Sequence, residues 1–535
     1  MISQLYRAGV GGAALKITDK RLENRATVYE WNGNLLGPSP DVTGVEQGGI
    51  NSSDFYKLYN NEQLVSAQAT DLGVDIDSNI ISAVGQADDV VLLSNDLDSL
   101  DLLVKGTERY CMKYRVSLVP SKTKLLAFCT PPQASSVDFA KKMTDIRING
   151  QNIKYDEMAE HVGIIRCPDG NMPHIQGRIT AHRKAMYAID GAGAARQHFG
   201  NPAAALRIHQ LYGTSVLFSG LACLVLSGPE VKLIDLHLQR IVQRIQKLHE
   251  GTPRSFTFLL AGCLPGEAIL HLKQLTLFLM ICHLPQNPLH KHGKFVLSRG
   301  QIPVKSWFHQ ILKLCEKYML PHPHFLMEEP PPKNSFKRQI KCAVIEFWED
   351  ALRQEALALQ SIKHFDVFSC NLIQPHWVWV TSGNNSFEIR KASVLVRMMS
   401  GRYRTDYFAR HWTMNKKGLC LIPGCTQQIG DLQHLLIECS ALASARSKAI
   451  ELILNKSSML LPLRIFFESL FQSNSELQYL FFFRPFSFTY VNYLCNLYGQ
   501  SIVKSISYYV RTYVFTIHAE RQKLMSVKGE ASIHK

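Results

Sequence analysis

Residues 84–94 read VGQADDVVLLS and set two adjacent carboxylates, Asp88 and Asp89, among apolar residues. The flanking runs, IISAV (80–84) and VVLLS (90–94), are short and rich in β-branched residues. They predict two strands with the acids at the turn between them. Such strands anchor in a core while the tip stays polar. Two carboxylates this close raise each other's pKa unless a cation relieves them. Mg²⁺ suits that role, because it takes a few carboxylates and leaves room for phosphate oxygens. Two-metal phosphoryl transfer asks for this arrangement. An ordinary exposed Asp-Asp turn has the same local sequence, so the discrimination comes from the neighbouring segments.

Upstream lies GVEQGGINSSDFYKLYN, residues 44–60. Gly44, Gly48 and Gly49 predict a flexible loop that a polymer backbone can approach closely. Phe55, Leu58 and Tyr59 then recur at helical spacing, with Ser52 or Ser53 as N-cap. Downstream, Asn95 is placed to cap a helix with Asp96 and Asp98 in its first turn. Leu100, Leu103, Val104 and Thr107 give that helix an apolar face. VPSKTKLLAF (119–128) follows as a basic turn leading into a strand.

In this order the segments resemble the second half of the palm of non-LTR (LINE-like) retrotransposon reverse transcriptases. Gly-Val-x-Gln-Gly-Gly followed by Ser resembles motif B, which implies nucleotide or template contact for Gln47, Gly48, Gly49 and Ser52. Ala-Asp-Asp resembles motif C, with Asp88 and Asp89 as the Mg²⁺-binding catalytic pair. Ser-Lys-Thr resembles motif D, with Lys122 placed to protonate the leaving pyrophosphate. Glu-His-Val-Gly (160–163) resembles the start of the primer grip. Four positions depart from the family pattern: Glu46 for a basic residue, Ser53 for proline, Gln86 for an aromatic and Val119 for asparagine. An anion at 46 near incoming phosphates is unfavourable unless a cation pairs with it. The third metal-binding aspartate of the family belongs to motif A. Asp19 and Asp41 lie before motif B without that motif's surroundings, while ISQLYRAG resembles the helix after it. The resemblance therefore implies a palm entered midway, without motif A, fingers or endonuclease, which alone polymerises poorly.

The formal net charge of +15 fits an anionic partner or simply a solvated basic surface. In KLIDLHLQRIVQRIQKL (232–248), Ile234, Leu238, Ile241, Ile245 and Leu248 form an apolar stripe. His237, Arg240, Arg244 and Lys247 form the opposite face at three- and four-residue steps. In a polymerase thumb that face tracks duplex phosphates; otherwise it is solvated. The proline-rich PHPHFLMEEPPPKNS (321–335) reads as a linker. Residues 388–418 carry Arg390, Lys391, Arg397, Arg402, Arg404, Arg410, Lys416 and Lys417 interleaved with Tyr403, Tyr407, Phe408 and Trp412. That mixture suits single-stranded nucleic acid, or a buried aromatic face beneath a solvated basic one.

Cys420, Cys425, His434 and Cys439 follow, a donor set that closes a tetrahedral Zn²⁺ site. Free cysteines buried on a helical pair are the competing reading. The next segment, SALASAR, resembles the one after the CCHC knuckle of LINE-type proteins, although the first gap here is longer than the two residues common there. The thirteen cysteines are scattered, and the first residues lack an apolar signal region. Reduced thiols in the nucleus or cytoplasm, not secretion, are expected. Residues 211–225 form the longest uncharged apolar stretch, too short and polar for a membrane span, and are expected to be core.

The fold expected is α+β: a partial right-hand palm with antiparallel sheet over residues 1–165, then helices. A thumb with its extension spans 166–320, a linker and helical connector 321–387, the basic segment with its zinc knuckle 388–445, and a helical tail 446–535. The implied partners are an RNA template, a DNA primer and dNTP, with no membrane. The function implied is RNA-directed DNA synthesis. A catalytically dead nucleic-acid-binding relic and a zinc-dependent interaction protein are the alternatives.

Overall fold

A computed structural model describes residues 2–40, 46, 49–77, 79–128, 146–191, 200–299, 302–411, 415–426 and 428–526. They form two compact units, Met1–His174 with Gln286–Ser298, and Ile175–Pro285 with Arg299–Lys535. The first unit ends near the expected close of the palm segment. The expected thumb, connector, metal segment and tail share the second unit, apart from residues 166–174 and Gln286–Ser298. The chain is α+β, and every named strand lies in the first unit.

The first unit opens with α1 (Ile2–Arg7), α2 (Gly12–Leu22), β1 (Ala26–Trp31), β2 (Asn34–Pro40) and α3 (Ser52–Gln68). It continues through β3 (Val74–Ile76), β4 (Asn79–Ile81), β5 (Ala83–Gln86), β6 (Asp89–Leu92) and α4 (Leu97–Tyr114). No sheet among the described residues is wider than two strands, narrower than the palm sheet expected from the sequence. A lone pair of strands is marginally stable in water; the β5–β6 hairpin packs against α3 and α4, whereas β1 and β2 are almost wholly exposed.

α4 shows how the local sequence achieves this. Asp96, one residue beyond the expected cap, accepts the Ser99 backbone N–H at 2.8 Å. The helix buries Leu103, Val104, Thr107, Tyr110 and Cys111, adding a turn to the apolar face read from sequence. Val104 joins Leu125, Ile146, Ile148 and Ile153 in a small core, each such side chain contributing about 1.5–3 kcal/mol on burial. α3 packs beside α4: the Tyr59 hydroxyl donates to the Tyr114 carbonyl at 3.0 Å and Tyr110 donates to the Tyr59 carbonyl at 2.9 Å. Asn51, not a serine, occupies the N-cap of α3, and its side chain makes no capping bond.

The second unit is helical. Its elements include α5 (Met172–Gly191, whose first three residues belong to the first unit), α6 (Pro202–Ile208), the π-turn His209–Gly213, α7 (Gly228–Ile245), α8 (Arg254–Ala261) and α9 (Gly266–Cys282). After these come α10 (Lys333–Leu357), α11 (Ser386–Met399), α12 (Ala443–Ser457), α13 (Leu461–Gln472), α14 (Ser475–Phe483), α15 (Thr489–Tyr498) and α16 (Gln500–Ser526). Ser227 and Glu230 close a capping box at the start of α7, which satisfies the first free N–H groups there. Aromatic packing organises the C-terminal helices. Phe482 of α14 stacks on Tyr513 of α16 with centroids 4.0 Å apart, and Phe467 of α13 meets Tyr509 edge to face at 5.6 Å.

The proline-rich segment does more than connect. Pro323–Glu328 is a short helix that buries Pro323, Leu326 and Met327, and Pro332 stands at the N-cap of α10. Proline fits a first helical turn because the N–H it lacks would have no intrahelical partner there. Within the stretch 211–225, Leu217, Phe218 and Leu221 are buried, whereas Leu211 and Tyr212 are exposed. No single described helix is long and apolar enough to cross a membrane. The bent pair α8–α9 passes by length and composition, but all of α8 except Arg254 is buried in the unit.

Candidate metal centre and the carboxylate hairpin

β5 and β6 pair antiparallel in the register Ala83–Leu92, Val84–Val91, Gly85–Val90 and Gln86–Asp89. Ala87 and Asp88 form the turn, as the apolar runs implied, and Ala87 takes a left-handed backbone with φ 54°. Such a conformation strains any residue with a Cβ. The Asn60 side chain of α3 donates to the Ala87 carbonyl at 3.4 Å. Gly85 lets α3 close in: a Cβ there would meet Leu64 Cδ1 at 3.1 Å. Asp88 and Asp89 are both exposed. Tyr56 of α3 has its hydroxyl pKa raised by burial and then by the Asp88 charge, so the carboxylate is close enough to be felt there.

Glu46, the anion out of place in the motif, is paired. Arg21 Nη2 lies 2.6 Å from Glu46 Oε2, and the hydrogen bond from Arg21 holds the carboxyl below its ordinary range. Arg21, Leu22, Glu46, Asn51, Ser52 and Phe55 line a shallow pocket. The Gly49 N–H donates to the Glu46 carbonyl at 3.2 Å, and the Ser52 N–H donates to the Gly49 carbonyl at 3.1 Å. Gln47 and Gly48 lie outside the described residues, as does Trp412. Lys122 is exposed in the turn before the strand Lys124–Leu125. Among the described residues no hydrogen bond or ion pair joins it to Asp88 or Asp89.

The second constellation is mostly buried, with Cys425 at its more open side. The ligand atoms of Cys420, Cys425, His434 and Cys439 all lie within 4.8 Å of one another. Cys420 Sγ is 4.0 Å from Cys439 Sγ, and Cys425 Sγ is 3.3 Å from His434 Nε2. A tetrahedral zinc ion sets such atoms roughly 3.5–3.8 Å apart, so the four donors fit a metal such as zinc. His434 Nδ1 meets Gln428 Oε1 at 3.0 Å. That bond directs the ring proton to Nδ1 and leaves Nε2 facing the other donors. The Cys439 thiol is held below its ordinary range, by the hydrogen bond from Cys420 first and by His434 next. His434 is raised in turn by its hydrogen bond to Cys439. The Cys420 thiol is raised instead, by its hydrogen bond with Cys439 first and by burial next.

The five-residue step from His434 to Cys439, which fits no straight α-helical face, is resolved by a π-turn over His434–Glu438. The Cys439 N–H donates to the His434 carbonyl at 2.7 Å, and this wider turn returns both donors to one side. The first two donors sit on a loop closed by a bridge between Leu419 and Ile429. Asp406 fixes that loop from behind: Oδ2 accepts the Leu421 N–H at 3.1 Å, and Oδ1 lies 3.8 Å from Arg521 Nη2 on α16. Tyr513 of α16 also donates to the Leu436 carbonyl at 3.0 Å. The cluster is thus set within the helical unit. Gln428, Asp406 and Arg521 escape sequence reading, because hydrogen bonds to a loop leave no spacing pattern. Only the donor set was visible.

The expected basic face divides. Arg240 and Arg244 are exposed on α7, and Arg244 Nη2 pairs with Asp190 at 3.1 Å. Lys247 lies past the end of the helix in a left-handed turn with φ 57°; burial lowers its pKa. His237 is a correction: it is buried rather than on the solvent face, because the His182 imidazole meets it. Of the eight cations in 388–418, Lys391 is buried and held by Glu388 at 2.7 Å. Arg390, Arg397, Arg404, Lys416 and Lys417 are exposed. Arg410 lies over the exposed Tyr407 ring, 3.6 Å from its centroid. Tyr403 is buried against His518, whereas Tyr407 is exposed.

Compared with known families, the chain matches no family model, and no curated protein matches it.

Proposed function

We propose that the chain binds an RNA template paired with a DNA primer, as a relative of non-LTR retrotransposon reverse transcriptases. The observation that carries this reading is the hairpin tip exposing Asp88 and Asp89 while its turn is held by Asn60 of α3. In this reading the two carboxylates hold Mg²⁺ for phosphoryl transfer. Gln47, Gly48, Gly49 and Ser52 contact nucleotide and template, and Lys122 serves the leaving pyrophosphate. Zn²⁺ at Cys420, Cys425, His434 and Cys439 completes a knuckle-like element beside exposed cations. Arg240, Arg244 and Lys247 track phosphates. Two carboxylates are a partial cage for two ions, so extension by this chain is expected to be slow.

A second reading, binding without synthesis, is favoured by the buried Cys/His cluster, which organises structure and needs no reaction. Salt-dependent binding to an RNA–DNA hybrid and primer extension with Mg²⁺ test the two. Binding is expected to weaken steeply with salt, and the Arg240→Gln, Arg244→Gln pair is expected to reduce the log–log slope by about 2. Extension abolished by Asp88→Asn and Asp89→Asn supports the enzyme. Extension unaffected by those changes refutes the metal role. Salt-insensitive or absent hybrid binding refutes both readings.

A further inference from the structure

Three buried imidazoles meet in the second unit: His182 on α5, His209 at the start of the π-turn and His237 on α7. His182 Nδ1 lies 2.9 Å from His237 Nε2, and His182 Nε2 lies 3.1 Å from His209 Nε2. The rings meet edge to face, with centroids 5.1 and 5.2 Å apart. The π-turn that delivers His209 is closed by the Thr214 N–H donating to the His209 carbonyl. Such turns concentrate at functional positions. Gly213 makes the room: a Cβ there would stand 2.7 Å from His209 Cδ2 and 3.1 Å from His182 Nε2. The central ring spends one nitrogen on each neighbour, so the cluster is a hydrogen-bonded row and not a chelate.

Counting protons shows what the row can tolerate. Each of its two hydrogen bonds holds a single proton between two nitrogens. The outer Nδ1 atoms of His209 and His237 hold one more each. Four protons are the maximum, and three neutral rings supply three. One added proton can be taken up with both bonds intact, for example with His182 donating in both directions. A second added proton sets N–H against N–H and breaks a bond. We propose that this row is a proton-gated latch, which joins α5, the π-turn and α7 when neutral and releases them on taking up a second proton.

The charged surroundings oppose protonation. Arg183 of α5 and Arg240 of α7 both place positive charge near His237. The π-turn brings no other charged side chain. The acids nearest in sequence are engaged elsewhere, Asp190 with Arg244 and Asp235 with Arg254. Burial lowers His182 to about 4, His209 to about 3 and His237 to about 4. All three lie below the ordinary 6.5, so the stabilisation is complete above pH 6.5 and is lost as pH falls through about 4.

Hydrogen exchange on the full chain, corrected for intrinsic rates, tests the latch. Peptides from α5, the π-turn and α7 are expected to lose protection by about ten-fold or more per pH unit as the pH drops below 6, one decade per proton, while α16 stays protected. In His209→Gln with His237→Gln, the amides keep a hydrogen bond but cannot take the proton, and the loss is expected to move to lower pH. Should that pair fail to fold at pH 7.5, Arg183→Gln serves instead. Removing its charge eases protonation of folded His237, so opening again moves to lower pH. Profiles of the folded variant that superimpose on the unmodified protein overturn the proposal, as does simultaneous loss from α5, α7 and α16.

Discussion

The two clusters of candidate metal ligands in this protein are built in opposite ways. The hairpin tip holds Asp88 and Asp89 in water, on a two-stranded sheet. The Cys/His cluster is mostly buried, with its loop tied to Asp406, Arg521 and Tyr513. Exposed carboxylates need no relief, because water screens them, and they remain available to a ligand that arrives with its own cations. A thiolate in a buried cluster needs a cation or hydrogen-bond donors beside it, because an unpaired charge in a core is costly. The first arrangement leaves its acids open to solvent, and the second gathers four donors that could hold a metal such as zinc.

Three measurements break or sharpen this contrast. The largest effect is expected from Cys439→Ser. It should abolish binding of one equivalent of zinc by metal analysis and destabilise the second unit by on the order of 5 kcal/mol. A metal-free protein with an unchanged unfolding midpoint would remove zinc from the account. Next, Phe482→Ala, which unstacks Tyr513, should cost about 3–5 kcal/mol in urea unfolding. Val84→Thr on the half-exposed hairpin should stay within about 0.5 kcal/mol. Equal costs would mean the two regions are packed alike. An effect between these two is expected from Asn385→Ala. Its side chain accepts the Phe387 and Glu388 N–H groups at 2.8 and 3.4 Å, and losing that cap of α11 should cost about 1 kcal/mol.

The hairpin was legible because strand alternation and a polar tip are properties of neighbours in sequence. α4 was legible for the same reason, down to one residue in its cap. The pairing of Glu46 with Arg21 was not, since the partners stand 25 residues apart. His237 was misplaced for a related reason. Helical periodicity assigned it to the polar face, but periodicity knows nothing of the imidazole on α5. Proline content marked 321–335 as a linker, yet a short helix with buried side chains forms inside it, which needed the packed unit to appear.

By itself the sequence determined the secondary-structure alternation, the four soft donors and the paired acids, because each depends on residue type and short spacing. The tertiary structure alone decided that the donors converge, since a π-turn and a bridged loop must bring them within bonding reach. It also decided which cations remain in water. Burial depends on what packs against a side chain, and those contacts join residues far apart along the chain.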